Sequence, residues 1–275
     1  MRFWVVLVCY GLFFFEFIYV RTRTPTLFNR VMKVSVLATG SSGNCYVLES
    51  DSGERLIIEL GVRWSEILKG LDYRLDNVIG ALISHRHKDH ALEVLKAQIA
   101  GVHTYANEDV FSSLKKPPIG VYTHHLTANQ EARIGGFRVL PLAVTHDVPC
   151  HAFVITAGRK RLLFATDCVT LPYRVEGLSI ALIECNYDDD TLYSAIESGV
   201  SDRSELFRLR GSHMELTQTA EAVKRQLQVD NGALREVVCI HASNRHSSDE
   251  VMIETLERAT GLPIHIAKAG QVYTV

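Results

Sequence analysis

Beyond residue 32 the chain is built from short apolar runs cut by small and polar turns, a strand-like rhythm first and a mixed one later. Residues 34–39, 46–49 and 55–60 are β-branched or aliphatic stretches separated by Gly and Ser, and each predicts a short strand. Residues 79–84 form a continuous apolar run, which predicts a buried strand. Leu92, Leu95 and Ile99 then recur at helical spacing and predict a helix over 89–100 that stops at Gly101. A second series of strands is predicted at 137–144, 152–156, 161–165 and 180–184. Amphipathic helices are predicted at 217–228 and 248–259, with Thr217 and Ser248 as N-caps, and strands at 236–240, 263–267 and 271–275 complete the pattern. Strand-rich halves joined to helices imply sheets covered by helices, a layered α/β arrangement.

The first 31 residues follow a different rule. Phe3 to Val20 is apolar except at Gly11 and Glu16, and Arg21, Arg23 and Arg30 follow it. A run of about 18 apolar residues is at the lower edge for a bilayer span, and the trailing arginines would favour keeping the rest of the chain inside. No small-x-small site follows it, which counts against a cleaved signal peptide. The other reading is an extension from an upstream start, because Met32 opens a self-contained strand. The expected organisation is thus an apolar extension at 1–31 and one folded domain at 32–275. A cytoplasmic location is expected, with membrane attachment only if residues 3–20 are a true anchor.

Composition narrows this only a little. Lys+Arg 29 against Asp+Glu 31 gives a net charge of −2, which excludes a protein coated with nucleic acid but leaves a local basic groove open. Arg203, Arg208 and Arg210, with Arg159, Lys160 and Arg161, are the candidates for such a groove, or else solvated faces. Cys9, Cys45, Cys150, Cys168, Cys185 and Cys239 are scattered without a CxxC pair, so free buried thiols are expected rather than a disulfide framework or zinc knuckle.

The chemistry is concentrated where strands end. Directly after the buried run come His85, His87, Asp89 and His90 within six residues. In an extended turn, residues 85 and 87 project to one side and can share a cation, while Asp89 and His90 open the next helix and can face a second. Neutral imidazole and carboxylate suit zinc and similar divalent ions. A polar loop that happens to be histidine-rich is the bland alternative.

His85-x-His87-x-Asp89-His90 resembles the signature of the metallo-β-lactamase superfamily, whose fold is an αββα sandwich of two mixed sheets flanked by helices. The resemblance extends over residues 32–275. The later metal motifs of the family are matched by His146, Asp167 and His241, each after an apolar run. By that likeness His85, His87 and His146 hold one metal, Asp89, His90 and His241 hold the other, and Asp167 lies between them. Two divalent metals are implied, zinc with manganese as the alternative, and they would activate water for hydrolysis with Asp89 as a proton shuttle. One position departs: the family places Asp at the strand end where this chain has Glu59, one methylene longer. Glu59 is expected to orient a ligating histidine from behind.

The flanks point to a branch. Residues 35–46, including Gly40-Ser41-Ser42-Gly43-Asn44, are similar to the first hairpin of the YycJ-like branch, linked to 5′-exonuclease action on DNA. Glu184 with residues 185–188, His213 ahead of a helix, and His241-Ala242-Ser243-Asn244 resemble the same branch. Gly40–Asn44 could offer N–H groups to a phosphate or be a simple turn. His213 could act near the scissile phosphate or cap a helix, and Glu184 is expected to support the site from behind. His103, His124, His125, His246 and His265 match no motif. The expected function is a di-metal phosphodiesterase or exonuclease acting on DNA or a small phosphodiester. The alternatives are hydrolysis of another ester (cyclic nucleotide, lactone or thioester) and a non-catalytic metal-binding protein.

Overall fold

The computed structural model describes residues 32–275; the apolar extension at 1–31, with Cys9 and the anchor reading of residues 3–20, lies outside the described residues. Among the described residues no helix is long and apolar enough to cross a membrane.

Two seven-stranded mixed sheets make the frame. The first contains β1 (Lys33–Ala38), β2 (Cys45–Glu49), β3 (Arg55–Ile58), β4 (Val78–Leu82), β5 (Thr104–Ala106) and β6 (Thr123–His125) in sequence order, with the last strand, Val272–Thr274, added beside β1. The second contains β7 (Ala132–Ile134), β8 (Phe137–Val144), β9 (Cys150–Ala157), β10 (Lys160–Ala165), β11 (Ile180–Glu184), β12 (Val237–Ile240) and β13 (Ile264–Ile266); Val272–Thr274 is thus β14. Strands β3 to β6 are mutually parallel, as are β10 to β13.

Alternation decides which face of each strand is covered. Val34, Val36, Tyr46, Leu48, Leu56 and Ile58 of the first sheet meet Phe137, Phe153, Leu162, Phe164, Leu182 and Ile240 of the second in one dry layer. Their neighbours in sequence point outward under helices. Val47, Ile57 and Ala81 pack with Ile67 of α1 (Trp64–Gly70), Ala91 of α2 (Lys88–Ala91), Val94 and Ala97 of α3 (Val94–Ile99) and Val110 of α4 (Glu108–Ser112). On the other side Leu163, Ala181 and Cys239 pack with Val223 of α7 (Leu216–Leu227) and Met252 of α8 (Asp249–Thr260). Between β11 and α7 a hairpin of α5 (Asp189–Glu197) and α6 (Arg203–Ser212) has its own small core of Tyr187, Leu192 and Leu209. The layers are αββα, as the resemblance implied. Tyr46 meets Phe164 edge-on across the two sheets, ring centroids 5.2 Å apart, and both are fully buried. Phe164→Ala is expected to lower unfolding stability by about 3–5 kcal/mol, read from the urea midpoint at unchanged slope.

Two expectations about helices need correction. The helix expected over 89–100 is broken into α2 and α3, because Leu60 enters its hydrogen-bond ladder. The Leu60 N–H donates to the His90 carbonyl (2.8 Å), and the Leu60 carbonyl accepts from the Glu93 N–H (3.0 Å). The Asp89 carbonyl is likewise taken, by the Asn44 N–H at 2.8 Å. This needs close backbone approach, and only glycine fits at Gly61, where a Cβ would stand 1.6 Å from the Asp89 carbonyl oxygen. The second correction concerns α7, which is capped by Glu215 accepting from the Thr217 N–H (2.7 Å), rather than by Thr217. Ser248 caps α8 as expected.

Candidate metal centre

Six strands from both sheets deliver their C-terminal ends to one rim. Glu59 follows β3, Ser84 and His85 follow β4, His146 follows β8, Asp167 follows β10, Glu184 ends β11 and His241 follows β12. Glu59 (φ 66°), Asp167 (φ 48°) and His241 (φ 55°) each hold a left-handed backbone immediately beyond a strand. Such conformations cost of order 1–3 kcal/mol apiece for a non-glycine residue and gather at functional sites. Here the sharp turn aims each side chain back over the rim.

The nitrogens converge in two groups. His85 Nε2 lies 3.0 Å from His87 Nδ1, which lies 3.3 Å from His146 Nε2. In the second group Asp89 Oδ2 is 3.3 Å from His90 Nε2 and 3.5 Å from His241 Nε2. Asp167 Oδ2 stands 3.0 Å from His90 Nε2 and 3.7 Å from His241 Nε2, and joins a third convergence with His85 and His90. All seven residues expected from the sequence as ligands therefore stand in one cluster, and a fourth convergence joins Asp167 and His241 with Glu184 and His213.

Behind the converging atoms, three ring nitrogens have polar partners and a fourth makes no hydrogen bond. His85 Nδ1 meets Ser84 Oγ at 2.9 Å, and His146 Nδ1 meets the Ser212 carbonyl at 2.8 Å. His241 Nδ1 lies between Asn186 Nδ2 at 3.0 Å and Glu184 Oε1 at 3.2 Å, while His90 Nδ1 is buried without a hydrogen-bond partner, 3.5 Å from Glu59 Oε1. A partner on the far nitrogen fixes the tautomer and leaves the inner lone pair free for a cation. Glu59 lies behind His90, and its carboxylate accepts from the Ser84 N–H at 3.3 Å.

Charge argues for cations as well. Asp167, Glu184 and Glu59 are buried, and the ion partners found for them among the described residues are histidines, not Lys or Arg. The imidazoles must carry the compensating charge. Burial alone would push His90 and His241 down, but Asp167 and the neighbouring carboxylates hold His90 well above the usual histidine range and raise His241 to about 10. Burial opposes ionisation of Asp167, yet His241 and His90 keep it well below the ordinary carboxylate range. His85 and His146 are depressed, mainly by burial. Protons so held occupy the places where divalent ions would satisfy the same lone pairs, so the donor set fits two such ions.

His213 ends α6 and is not free in a loop. Its Nδ1 is 2.8 Å from Glu184 Oε1 and 3.4 Å from Asp167 Oδ1, and its ring stacks on His241 with centroids 5.3 Å apart. Glu184 is the hub of this side, since its Oε2 accepts from the Cys168 N–H (3.0 Å) and the Met214 N–H (3.2 Å).

Other expectations fare differently. Three N–H groups of the Gly40–Asn44 turn are taken, Gly40 by Asn44 Oδ1, Gly43 by the Gly40 carbonyl and Asn44 by the Asp89 carbonyl. The turn thereby supports the Asp89–His90 backbone, and Asn44 Nδ2 comes within 3.2 Å of His90 Nε2. Arg159, Lys160 and Arg161 sit at the start of β10, about 20 Å of extended chain from Asp167, and belong to a solvated far edge. His103 and His124 pair with each other, His125 with Glu108, His246 with Ser201 and His265 with Glu236, all outside the metal-ligand groups. The five described cysteines are free and buried. Nothing in the sequence signalled the roles of Ser84 and the Ser212 carbonyl, nor that Asn44 would face His90 or that Asn186 Nδ2 would donate to the His241 carbonyl at 2.8 Å.

A family model described as a beta-lactamase superfamily domain matches residues 66–242. The chain belongs to this superfamily. Among curated relatives it is 27% identical over 176 residues to an exodeoxyribonuclease, WalJ, of Streptococcus pneumoniae, spanning 59% of this chain and 65% of that protein. It is 25% identical over 171 residues to the exodeoxyribonuclease YycJ of Bacillus anthracis, spanning 58% and 64%. The chain thus spans just under two thirds of the relatives it matches. Among solved structures, the metallo-beta-lactamase fold protein YhfI from Bacillus subtilis superposes with TM-score 0.69 at 18% identity, over 89% of this chain and all of that one. Zn(2+)-bound PqqB from Methylobacterium extorquens superposes with TM-score 0.64 at 14% identity, over 88% and 99%. Those likenesses concern the fold.

Proposed function

We propose that residues 32–275 form a metal-dependent phosphodiesterase that degrades DNA from its 5′ end, with two divalent ions, zinc foremost and manganese second. His85, His87 and His146 would hold one ion and Asp89, His90 and His241 the other, with Asp167 shared. The observation that carries the reading is the His213–Glu184 pair set against Asp167, because it adds a proton donor to a pair of cation sites. When bound, two such ions lower the pKa of a shared water from 15.7 toward about 7 and neutralise charge on both the attacking and the leaving oxygen.

The chain's own residues do the rest. Asp167 would offset the repulsion between two cations held in these groups. Asp89, with Oδ2 between His90 and His241 and part of its carboxylate open to solvent, can take the proton that the attacking water loses. Glu184 and Asp167 both face His213 Nδ1, so a proton on the other ring nitrogen can pass to the departing sugar oxygen. The exodeoxyribonuclease names of the relatives support DNA as the substrate class.

The test combines elemental analysis with a substrate panel of 5′-phosphorylated single-stranded DNA, cyclic nucleotides, acyl thioesters and lactones. About two ions per chain and shortening of DNA from the 5′ end are expected. Protein that stays metal-free in zinc and manganese overturns the metal assignment. Turnover of thioesters or lactones without any phosphodiester overturns the substrate.

A further inference from the structure

Of the five clustered imidazoles, three have their outward nitrogen beside Ser84, Ser212 or Glu184, and that of His90 is buried 3.5 Å from Glu59. The fifth is His87, the most exposed of the set, with 35% of its side chain open to solvent. Its Nδ1 is the atom that converges with His85 Nε2 and His146 Nε2. Its Nε2 is the ring nitrogen outside that convergence, and 3.5 Å from it lies Asp147 Oδ1.

We propose that Asp147 is the positioning residue for His87: its carboxylate accepts the His87 Nε2–H and so keeps Nδ1 free to bind the first cation. The inference rests on the metal-site reading above.

Asp147 Oδ1 is nearer still to His146 Nε2, at 3.0 Å, but that nitrogen cannot be its lasting partner. His146 commits its Nδ1–H to the Ser212 carbonyl, so in the neutral ring Nε2 carries a lone pair, not a proton. Of the two imidazoles beside Asp147, only His87 has an outward N–H to give. The need is also greatest there. A buried histidine is held by packing whichever tautomer it adopts, whereas a half-exposed ring can exchange its outward proton with water and turn. Asp147 is itself 56% exposed, so it can settle onto His87 without moving the core.

The test uses full-length Asp147→Ala and Asp147→Asn proteins, with circular dichroism to confirm the fold. Zinc affinity is measured by competition with a chromophoric chelator, and histidine tautomers by long-range proton–nitrogen NMR on metal-free protein. The alanine variant should lose about 10–100-fold in affinity at one of two zinc sites, the usual effect of removing such a partner. The asparagine variant should stay near wild type, because its amide oxygen still accepts the same N–H. In the metal-free spectra His87 should be Nε2-protonated in wild type and mixed in Asp147→Ala. Unchanged affinity and tautomer in the alanine variant overturn the proposal. So does an asparagine variant as weak as alanine, which would make Asp147 a direct ligand. If wild type binds no zinc, the metal reading fails, and the tautomer spectrum still decides what Asp147 does.

Discussion

Asp167→Asn is expected to lower turnover by more than about 100-fold and to leave one of the two cations loosely held. Losing a partner that merely supports a ligand costs about 10–100-fold, and Asp167 does more, since its carboxylate faces both ligand groups. Oδ2 lies 3.0 Å from His90 Nε2 and 3.7 Å from His241 Nε2, while Oδ1 faces His213 at 3.4 Å. An amide oxygen keeps the shape and loses the charge that lets two dications sit side by side. Asparagine also suits the backbone, because it tolerates the left-handed conformation that Asp167 adopts at φ 48°. Strain therefore does not confuse the result. The folded core should survive, as Phe164 and Ala165 of β10 remain buried among the same neighbours. Metal content at fixed free zinc, turnover on DNA and the thermal midpoint of metal-free protein together check this. A variant with two tightly held ions and normal turnover would remove Asp167 from the centre of the site.

The clustering of the seven candidate ligands was readable in the sequence for a physical reason. A cation needs several lone pairs at one point, and a strand end followed by a tight turn supplies four of them within six residues. The remaining three, His146, Asp167 and His241, each follow an apolar run and so mark further strand ends at the same rim. The supporting atoms were not readable. The Ser212 carbonyl behind His146 is 66 residues away in sequence and belongs to the main chain, so no residue type announces it. Ser84 is an ordinary serine until β4 places it against His85. The same holds for the fold. Strands such as β8 and β11 matched their predicted spans, whereas β5, β6 and β7, three residues each, were not anticipated. The break between α2 and α3 was hidden because Leu60, distant in sequence, takes the carbonyl that would have continued the helix. Asp188 and Asp202 cap α5 and α6, and α6 is polar on most of its surface, burying only Leu209 and Ser212.

Replacing His213 with alanine is expected to leave both cations and the fold in place while reducing DNA hydrolysis by about 10²–10⁴-fold, the range for a positioned proton donor. The fold should tolerate the change because His213 lies at the end of α6, where its backbone N–H still donates to the Leu209 carbonyl at 2.8 Å. The metals should stay because Glu184 keeps its contact with His241 Nδ1 at 3.2 Å and its bonds to the Cys168 and Met214 N–H groups. Glu184→Gln should behave differently, disturbing His213 and His241 together and costing metal affinity as well as rate. The leaving group separates a proton donor from a residue that only stabilises phosphoryl charge. A sugar alkoxide needs a proton to depart, whereas p-nitrophenolate does not. A donor's loss should therefore be large on DNA and small on bis(p-nitrophenyl) phosphate. Equal losses on both substrates would assign His213 to charge stabilisation. Loss of a cation would make it a ligand, and unchanged turnover on DNA would reduce it to the residue that ends α6.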